Sequence, residues 1–189
     1  MKKKIFFLIF ISLFFTFTSA RTVEIKSLVT INNTIITNYD LIKNIELIQI
    51  LENRNVSKNE TPMILQNIIE QKVKELELIK YKIQIDQVML NNKINLIVDK
   101  KDYGEKKKEI KEFLLKKIEI QEKWNKLIFL KFANKLEVNI NEIDEIVKKN
   151  NLSNDERSKV LNNHKNRKIN IISKTYFNEI KGKYLIKIL

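Results

Sequence analysis

The stretch 28–40 reads LVTINNTIITNYD, and its pattern decides how the chain begins to fold. Residues 22–31 alternate between apolar and polar side chains, which is typical of a half-buried β-strand. Four apolar side chains share one face of this strand: Val23, Ile25, Val29 and Ile31. The two asparagines at 32–33 tolerate positive φ, and 34–36 resume the extended pattern, so the sequence predicts a β-hairpin.

Capped helices are predicted after the hairpin. Thr37 and Asp40 have the spacing of a capping box, and Thr61 is a predicted N-cap with Pro62 at the first helical position. Further N-caps are predicted at Asp86 and Asn141. Apolar side chains recur at helical spacing behind each of these signals. The predicted helices span 38–53, 61–82, 86–98, 105–136 and 141–150.

The end of the chain carries its own helix and strand signals. Ser153 and Glu156 form a capping box for a closing helix that ends near Lys181, where Gly182 can act as the stop. Residues 184–189 alternate again and predict a terminal strand. A single strand leaves its backbone groups unpaired, so we expect this strand to pair with the N-terminal hairpin.

Together these patterns predict the fold class and the domain organisation. The fold is expected to be mainly α with a small β element, as a five-helix core module in which the N-terminal β-hairpin pairs with a C-terminal strand. After a signal peptide at 1–20, one domain spans 21–189. Its N-terminal part covers 21–150, and the closing helix and strand cover 153–189.

The first 20 residues have the pattern of a cleavable signal peptide. Three lysines at 2–4 precede a stretch of 13 almost wholly apolar residues at 5–17, and small residues follow at 18–20. Cleavage is expected between Ala20 and Arg21. An uncleaved anchor is disfavoured, because a helix that spans a bilayer needs about 20 apolar residues. We therefore expect an exported protein with no stable membrane anchor after cleavage.

The composition argues against several kinds of enzyme. The sequence has two glycines, no cysteine and one histidine, His164. Nucleotide-binding glycine loops need several glycines in one turn, while zinc fingers, haem attachment and disulfide scaffolds need cysteine. We therefore expect no catalytic residues, no metal site and no cofactor, and we expect that the protein is not an enzyme.

The positive charge of the chain has two explanations. Lys and Arg number 36 against 23 Asp and Glu, but Arg occurs only four times, and Lys, Ile and Asn are all in excess. Such a bias is typical of an AT-rich genome, and lysines four residues after glutamates predict solvated helix faces. Nucleic acid is therefore not an expected partner, since its readers favour clustered Arg. Steering of acidic clients by the charge stays open beside the compositional explanation.

Several motifs stand in the order found in a known family. The stretch 28–40 resembles the opening of the SurA-type periplasmic chaperones, and 64–94 resembles the helix pair that follows. IQEKW at 120–124 with VNINEI at 138–143 resembles the long helix and its exit, and 175–189 resembles the closing helix and strand. The resemblance covers nearly all residues after position 20.

One feature of that family has no counterpart in this chain. SurA-type proteins typically insert one or two parvulin-type prolyl isomerase domains before the closing helix. Each such domain needs roughly a hundred residues, and only Asn151 and Leu152 separate the two predicted helices at this point. The resemblance therefore implies a core chaperone that lacks the isomerase.

The resemblance also implies a function in the periplasm. It implies ATP-independent binding of unfolded outer-membrane β-barrel proteins in transit, with the outer-membrane assembly machinery as a second candidate partner. Aromatic side chains are the candidate client-binding residues, with an ordinary core position as the alternative for each: Trp124, Phe129, Phe132, Tyr176 and Phe177. The alternative function is an exported helical adaptor or structural protein that binds one defined partner.

Overall fold

The computed structural model describes residues 24–189, so the predicted signal peptide and its cleavage site at Ala20 and Arg21 lie outside the described residues. The described part is mainly helical with one small sheet. Its elements are β1 (Ser27–Ile31), β2 (Thr34–Thr37), α1 (Asn38–Glu52), α2 (Thr61–Ile79), α3 (Gln87–Val98), α4 (Lys107–Leu136), α5 (Ile140–Lys149), α6 (Asn154–Lys181) and β3 (Ile186–Ile188). These six α-helices correspond to the five predicted spans and the predicted closing helix, and Asn151, at a positive φ of 50°, separates α5 from α6.

The three strands form an antiparallel sheet in the order β2-β1-β3. Val29 at the centre of β1 lies opposite Ile36 of β2 and Ile188 of β3. The turn between β1 and β2 uses Asn32 at a positive φ of 49°, which asparagine tolerates. The predicted pairing of the N-terminal hairpin with the C-terminal strand is confirmed.

The start of the first strand differs from the prediction. Ile25 was expected on the buried face, but its side chain is 67% exposed. The strand begins only at Ser27, and its register with β2 shifts between Ser27 and Val29. Before this point Lys26 donates its backbone N–H to the side chain of Asn38, at 2.9 Å, so this segment follows the start of α1 instead of continuing the strand.

Three of the predicted helix caps are confirmed. Thr37 and Asp40 form a capping box, in which Thr37 donates its backbone N–H to the Asp40 carboxylate at 2.8 Å. Asp86 accepts the backbone N–H groups of Val88 and Met89. The third cap is the box of Ser153 and Glu156, which opens α6. Each of these caps satisfies N–H groups that the first turn of a helix leaves unpaired.

Apart from the first strand, the other predicted boundaries either match, as at Val98, Leu136 and Lys181, or differ by one to three residues. Thr61 is not the N-cap of α2. Ser57 and Glu60 form a capping box that starts a 3-10 turn, and this turn leads directly into α2. Asn139, not Asn141, caps α5 through its side-chain oxygen. Gly182 follows α6 at a φ of −64°, so it ends the helix without the left-handed conformation that favours glycine.

The core has two clusters that share the long helix α4. The larger cluster joins the sheet to α2, α4 and α6, with buried residues such as Val29, Ile31, Val73, Trp124, Phe177 and Ile180. The smaller cluster joins α1 and α3 to the first half of α4, and its buried residues are Leu47, Leu90, Ile94, Val98, Ile110 and Leu114. Among residues 24–189, no helix is both long enough and apolar enough to cross a membrane.

Candidate functional site

Four of the five predicted client-binding aromatics lie together in the core. Trp124 is fully buried, and its ring stacks on Tyr176 with centroids 5.6 Å apart and meets Phe177 edge-on at 6.3 Å. Phe132, where α4 departs from helical φ and ψ, packs edge-on against Tyr176 at 5.4 Å. We call these four residues the aromatic cluster. Its burial gives it a part in stability, and a part in client binding stays a prediction.

The hydroxyl end of the aromatic cluster is held by a buried carboxylate. Glu77 of α2 is 5% exposed, and it accepts hydrogen bonds from the Tyr176 and Tyr184 hydroxyls, each at 2.9 Å. Lys80 donates to the same carboxylate at 2.7 Å. Burial raises the pKa of Glu77, but the hydrogen bonds from Lys80 and the two tyrosines outweigh it and hold the pKa below its ordinary value. This network joins α6, and Tyr184 in the segment before β3, to α2.

Tyr176 lies at the buried end of this network. Burial raises the pKa of Tyr176, and hydrogen bonds with Tyr81 and with Glu77 raise it further. The Tyr81 hydroxyl in turn accepts a hydrogen bond from Lys131 at 2.9 Å. All of these polar groups have partners, as expected where a buried network stabilises a fold.

Phe129, the fifth predicted residue, lies in a different place. Its side chain is 59% exposed and lines a groove between α3 and α4 with a volume of about 410 Å³. The apolar lining consists of Ile85, Met89, Leu90 and Phe129. Met89 is 71% exposed, so the groove presents one flexible side chain, Met89, and one aromatic side chain, Phe129, to solvent. We call this surface the α3–α4 groove.

The helical repeat explains how the sequence forms this groove. Asp86 starts α3, so Met89 and Lys93 stand one turn apart on its outer side, while Leu90 and Ile94 enter the core. On α4, residues 122, 126 and 129 form one stripe along the facing side. Met89 and Ile85 were not among the predicted site residues, although the Asp86 cap sets the helix phase that brings Met89 to the outside.

Polar contacts bound the α3–α4 groove. Lys93 of α3 forms an ion pair with Glu122 of α4 at 2.6 Å. Lys126 donates to the backbone carbonyl of Gln84 at 2.8 Å. These contacts link the two helices at the rim and leave the apolar floor open, so the groove can receive one or two apolar side chains of another chain.

A second cavity, of about 550 Å³, lies between α1, α2 and α4 and is more polar. Lys74 lines it, and its ammonium lies 5.6 Å from the centre of the Trp124 ring and 5.7 Å from that of Phe177. Burial lowers the pKa of Lys74. The cation–π contacts cap the outer side of the aromatic cluster, so Lys74 supports the core from this cavity.

Neither a metal-binding cluster among the described residues nor a match to a known protein identifies a functional site. Among residues 24–189, no group of three or more His, Cys, Asp or Glu side chains is placed to hold a metal ion. In comparisons with known proteins, no family model matches the chain and no curated protein matches it. The features that point to a function are therefore the motifs of the sequence and the geometry of the α3–α4 groove.

Proposed function

We propose that this protein is an ATP-independent periplasmic chaperone that holds unfolded outer-membrane proteins in transit and has no prolyl isomerase activity. The observation that carries the proposal is the α3–α4 groove, where Met89 and Phe129 remain exposed although a well-formed core lies directly beneath them. Exposed apolar side chains grouped in a concave site are typical of a binding surface. The order of the SurA-like motifs supports the same function.

The chemistry of the groove suits weak and changeable binding. Methionine has a flexible thioether side chain that repacks around different partners, and Phe129 offers an aromatic face beside it. Release without a nucleotide requires contacts that exchange readily, and a shallow site for one or two side chains meets that requirement. Strands of outer-membrane barrels alternate apolar and polar residues and therefore present suitable side chains along their length.

Aggregation measurements test the proposal directly. A urea-unfolded outer-membrane β-barrel protein is diluted into buffer with the purified protein, at low and high salt, and light scattering is followed. We expect suppression that survives high salt, because apolar contacts are not screened, and we expect weaker suppression for a helical control client. An absence of suppression at several-fold molar excess would contradict the chaperone proposal.

Matched variants locate the activity in the groove. The double variant Met89→Ser and Phe129→Ser removes the two exposed apolar side chains, so suppression should fall several-fold. Ile171 of α6 is also exposed and lies outside the groove, so Ile171→Ser is the control for losing a surface apolar residue. Equal suppression by the double variant and the control would place the activity elsewhere.

The breadth of binding distinguishes the alternative function. An exported helical adaptor would use the same groove for one defined partner, and the small volume of the groove permits that use. A chaperone holds several unrelated barrel proteins with similar affinity, in the micromolar range. Tight binding of one protein and none of the others would favour the adaptor. Sequencing the N-terminus of the exported protein tests the accompanying proposal of cleavage before Arg21.

A further inference from the structure

The strand β3 lies at one edge of the sheet, and among residues 24–189 no strand pairs with the side of its backbone that faces away from β1. On the side toward β1, Asn32 donates its N–H to the carbonyl of Leu185 and Leu189 donates its N–H to the carbonyl of Leu28, each at 2.9 Å. Successive residues of a strand direct their backbone groups to opposite sides. The N–H and C=O groups of Ile186 and Ile188 therefore face away from β1, toward the open edge.

The side chains along this edge match an extended partner. Ile186 and Ile188 share the inner side of the sheet with Val29, yet Ile188 is 76% exposed because no strand lies beyond it in the described sheet. Lys187, opposite Thr30, is exposed on the outer side. A neighbouring strand would therefore meet an apolar, a cationic and an apolar side chain in sequence.

The charge of Lys187 argues against a second copy of this chain as that strand. An antiparallel pair of two β3 strands that uses all four open backbone groups places Ile186 of one copy opposite Ile188 of the other. That register puts Lys187 directly opposite Lys187 of its copy. Like charges directly opposite one another destabilise a strand pair, whereas opposite charges stabilise it, so an acidic residue at this position suits the edge better than Lys187 of a second copy.

We propose that the open edge of β3 binds an extended segment of an unfolded client as a fourth strand of the sheet. The segment carries an acidic residue between two apolar residues, opposite Lys187, Ile188 and Ile186. This inference rests on the proposed chaperone function and adds a second binding surface to it. The α3–α4 groove binds side chains of the client, whereas the β3 edge forms hydrogen bonds with its extended backbone. Backbone pairing of this kind tolerates many sequences, as broad client binding requires.

Backbone-modified peptides test the proposal without changing the protein. The probe is a fluorescein-labelled peptide with aspartate between two valines inside an alternating sequence, and binding is followed by fluorescence anisotropy. N-methylation of both valines removes two donated hydrogen bonds, so affinity should fall roughly tenfold or more. Replacing the aspartate by lysine should also weaken binding. Equal affinity of the methylated and parent peptides would overturn the proposal.

Paired variants test the same edge from the side of the protein. Ile188→Pro removes an N–H that faces the open edge and leaves the bonds to β1 in place, as proline at an edge strand allows. Ile188→Ala removes the apolar side chain and keeps the N–H. We expect a clearly larger loss of peptide binding for the proline variant, while far-ultraviolet circular dichroism stays that of the wild type for both. Equal losses would contradict backbone pairing.

The groove assay separates this inference from the proposed function. If Ile188→Pro and N-methylation have no effect while the Met89→Ser and Phe129→Ser variant loses suppression, the chaperone proposal stands and the edge proposal fails. If the peptide binds the edge as expected while the wild-type protein suppresses no aggregation, the chaperone proposal fails and edge binding serves one defined partner.

Discussion

Trp124 and Phe129 lie five residues apart on α4, yet one is fully buried and the other is 59% exposed. At 100° per residue they project about 140° apart around the helix axis, so one side of α4 faces α6 and the other faces α3. Both are aromatic, and both were predicted to bind clients. The comparison teaches that residue type alone does not assign a binding role, because the neighbouring helix decides which aromatics remain free.

The aromatic cluster and the α3–α4 groove also differ in the sequence separation of the residues that form them. The aromatic cluster brings Tyr176 and Phe177 of α6 against Trp124 of α4, and Trp124 donates its ring N–H to Ser173 at 2.8 Å. The α3–α4 groove is built by helices that are consecutive in sequence. The aromatic cluster therefore holds distant parts of the chain together, and the groove can change without loosening them.

The largest expected effect is on stability, from Trp124→Ala. Removing this fully buried side chain should lower the free energy of unfolding by about 3–5 kcal/mol, since a cavity remains and packing is lost. A domain with a stability of about 5–15 kcal/mol would then be close to unfolding. Urea denaturation followed by circular dichroism measures the loss.

Phe129→Ala is the matched control on the same helix. It should change the free energy of unfolding by no more than about 0.5 kcal/mol, because the side chain is largely in water already. If the two substitutions lowered stability equally, the division between a structural cluster and an exposed groove would be wrong.

A smaller loss is expected from Glu77→Gln, at about 1–3 kcal/mol near neutral pH, since a buried carboxylate with three donors is replaced by an amide. The pKa of Glu77 is lower in the folded protein than its ordinary value. Its contribution to stability is therefore present above the unfolded pKa of about 4.3 and is lost as the pH falls through the folded pKa.

Urea midpoints between pH 7 and acid measure this titration. The difference in stability between wild type and Glu77→Gln should be largest near pH 7 and should shrink as the pH falls below about 4. Tyr184→Phe is the control, because it removes one donor and keeps the carboxylate. A difference that stayed constant with pH would mean that the ionised carboxylate does not supply the stability.

The double variant of the α3–α4 groove is expected to lose less stability for each apolar side chain removed than Trp124→Ala does. Met89→Ser with Phe129→Ser should lower the free energy of unfolding by no more than about 1 kcal/mol, because each exposed site contributes within about 0.5 kcal/mol. Thermal melts measure this quantity. A large loss of stability would make any loss of aggregation suppression a consequence of unfolding, and the aromatic cluster and the groove would not be separable.

Local signals predicted most of the fold, and tertiary packing decided the rest. The hairpin turn at Asn32 and the capping boxes of Thr37 and Ser153 depend on residues within four positions of each other, so the sequence alone indicates them. The burial of Tyr176 depends on Glu77, which lies 99 residues away. Helical periodicity separates Phe129 from Trp124 on α4, but no local pattern shows that Tyr176 and Phe177 of α6 would cover Trp124.

The smallest expected effect concerns the ion pair between Lys93 and Glu122 at the edge of the groove. Both side chains are exposed, at 54% and 38%, so Glu122→Gln should change the free energy of unfolding by less than about 1 kcal/mol. If the apolar floor carries binding, this variant should suppress aggregation as well as the wild type does, at both salt concentrations. The converse variant Met89→Ser keeps the ion pair and should show weaker suppression at both. If Glu122→Gln instead changed suppression mainly at low salt, charge would contribute to binding, and the groove would differ from the aromatic cluster in electrostatics as well as in exposure.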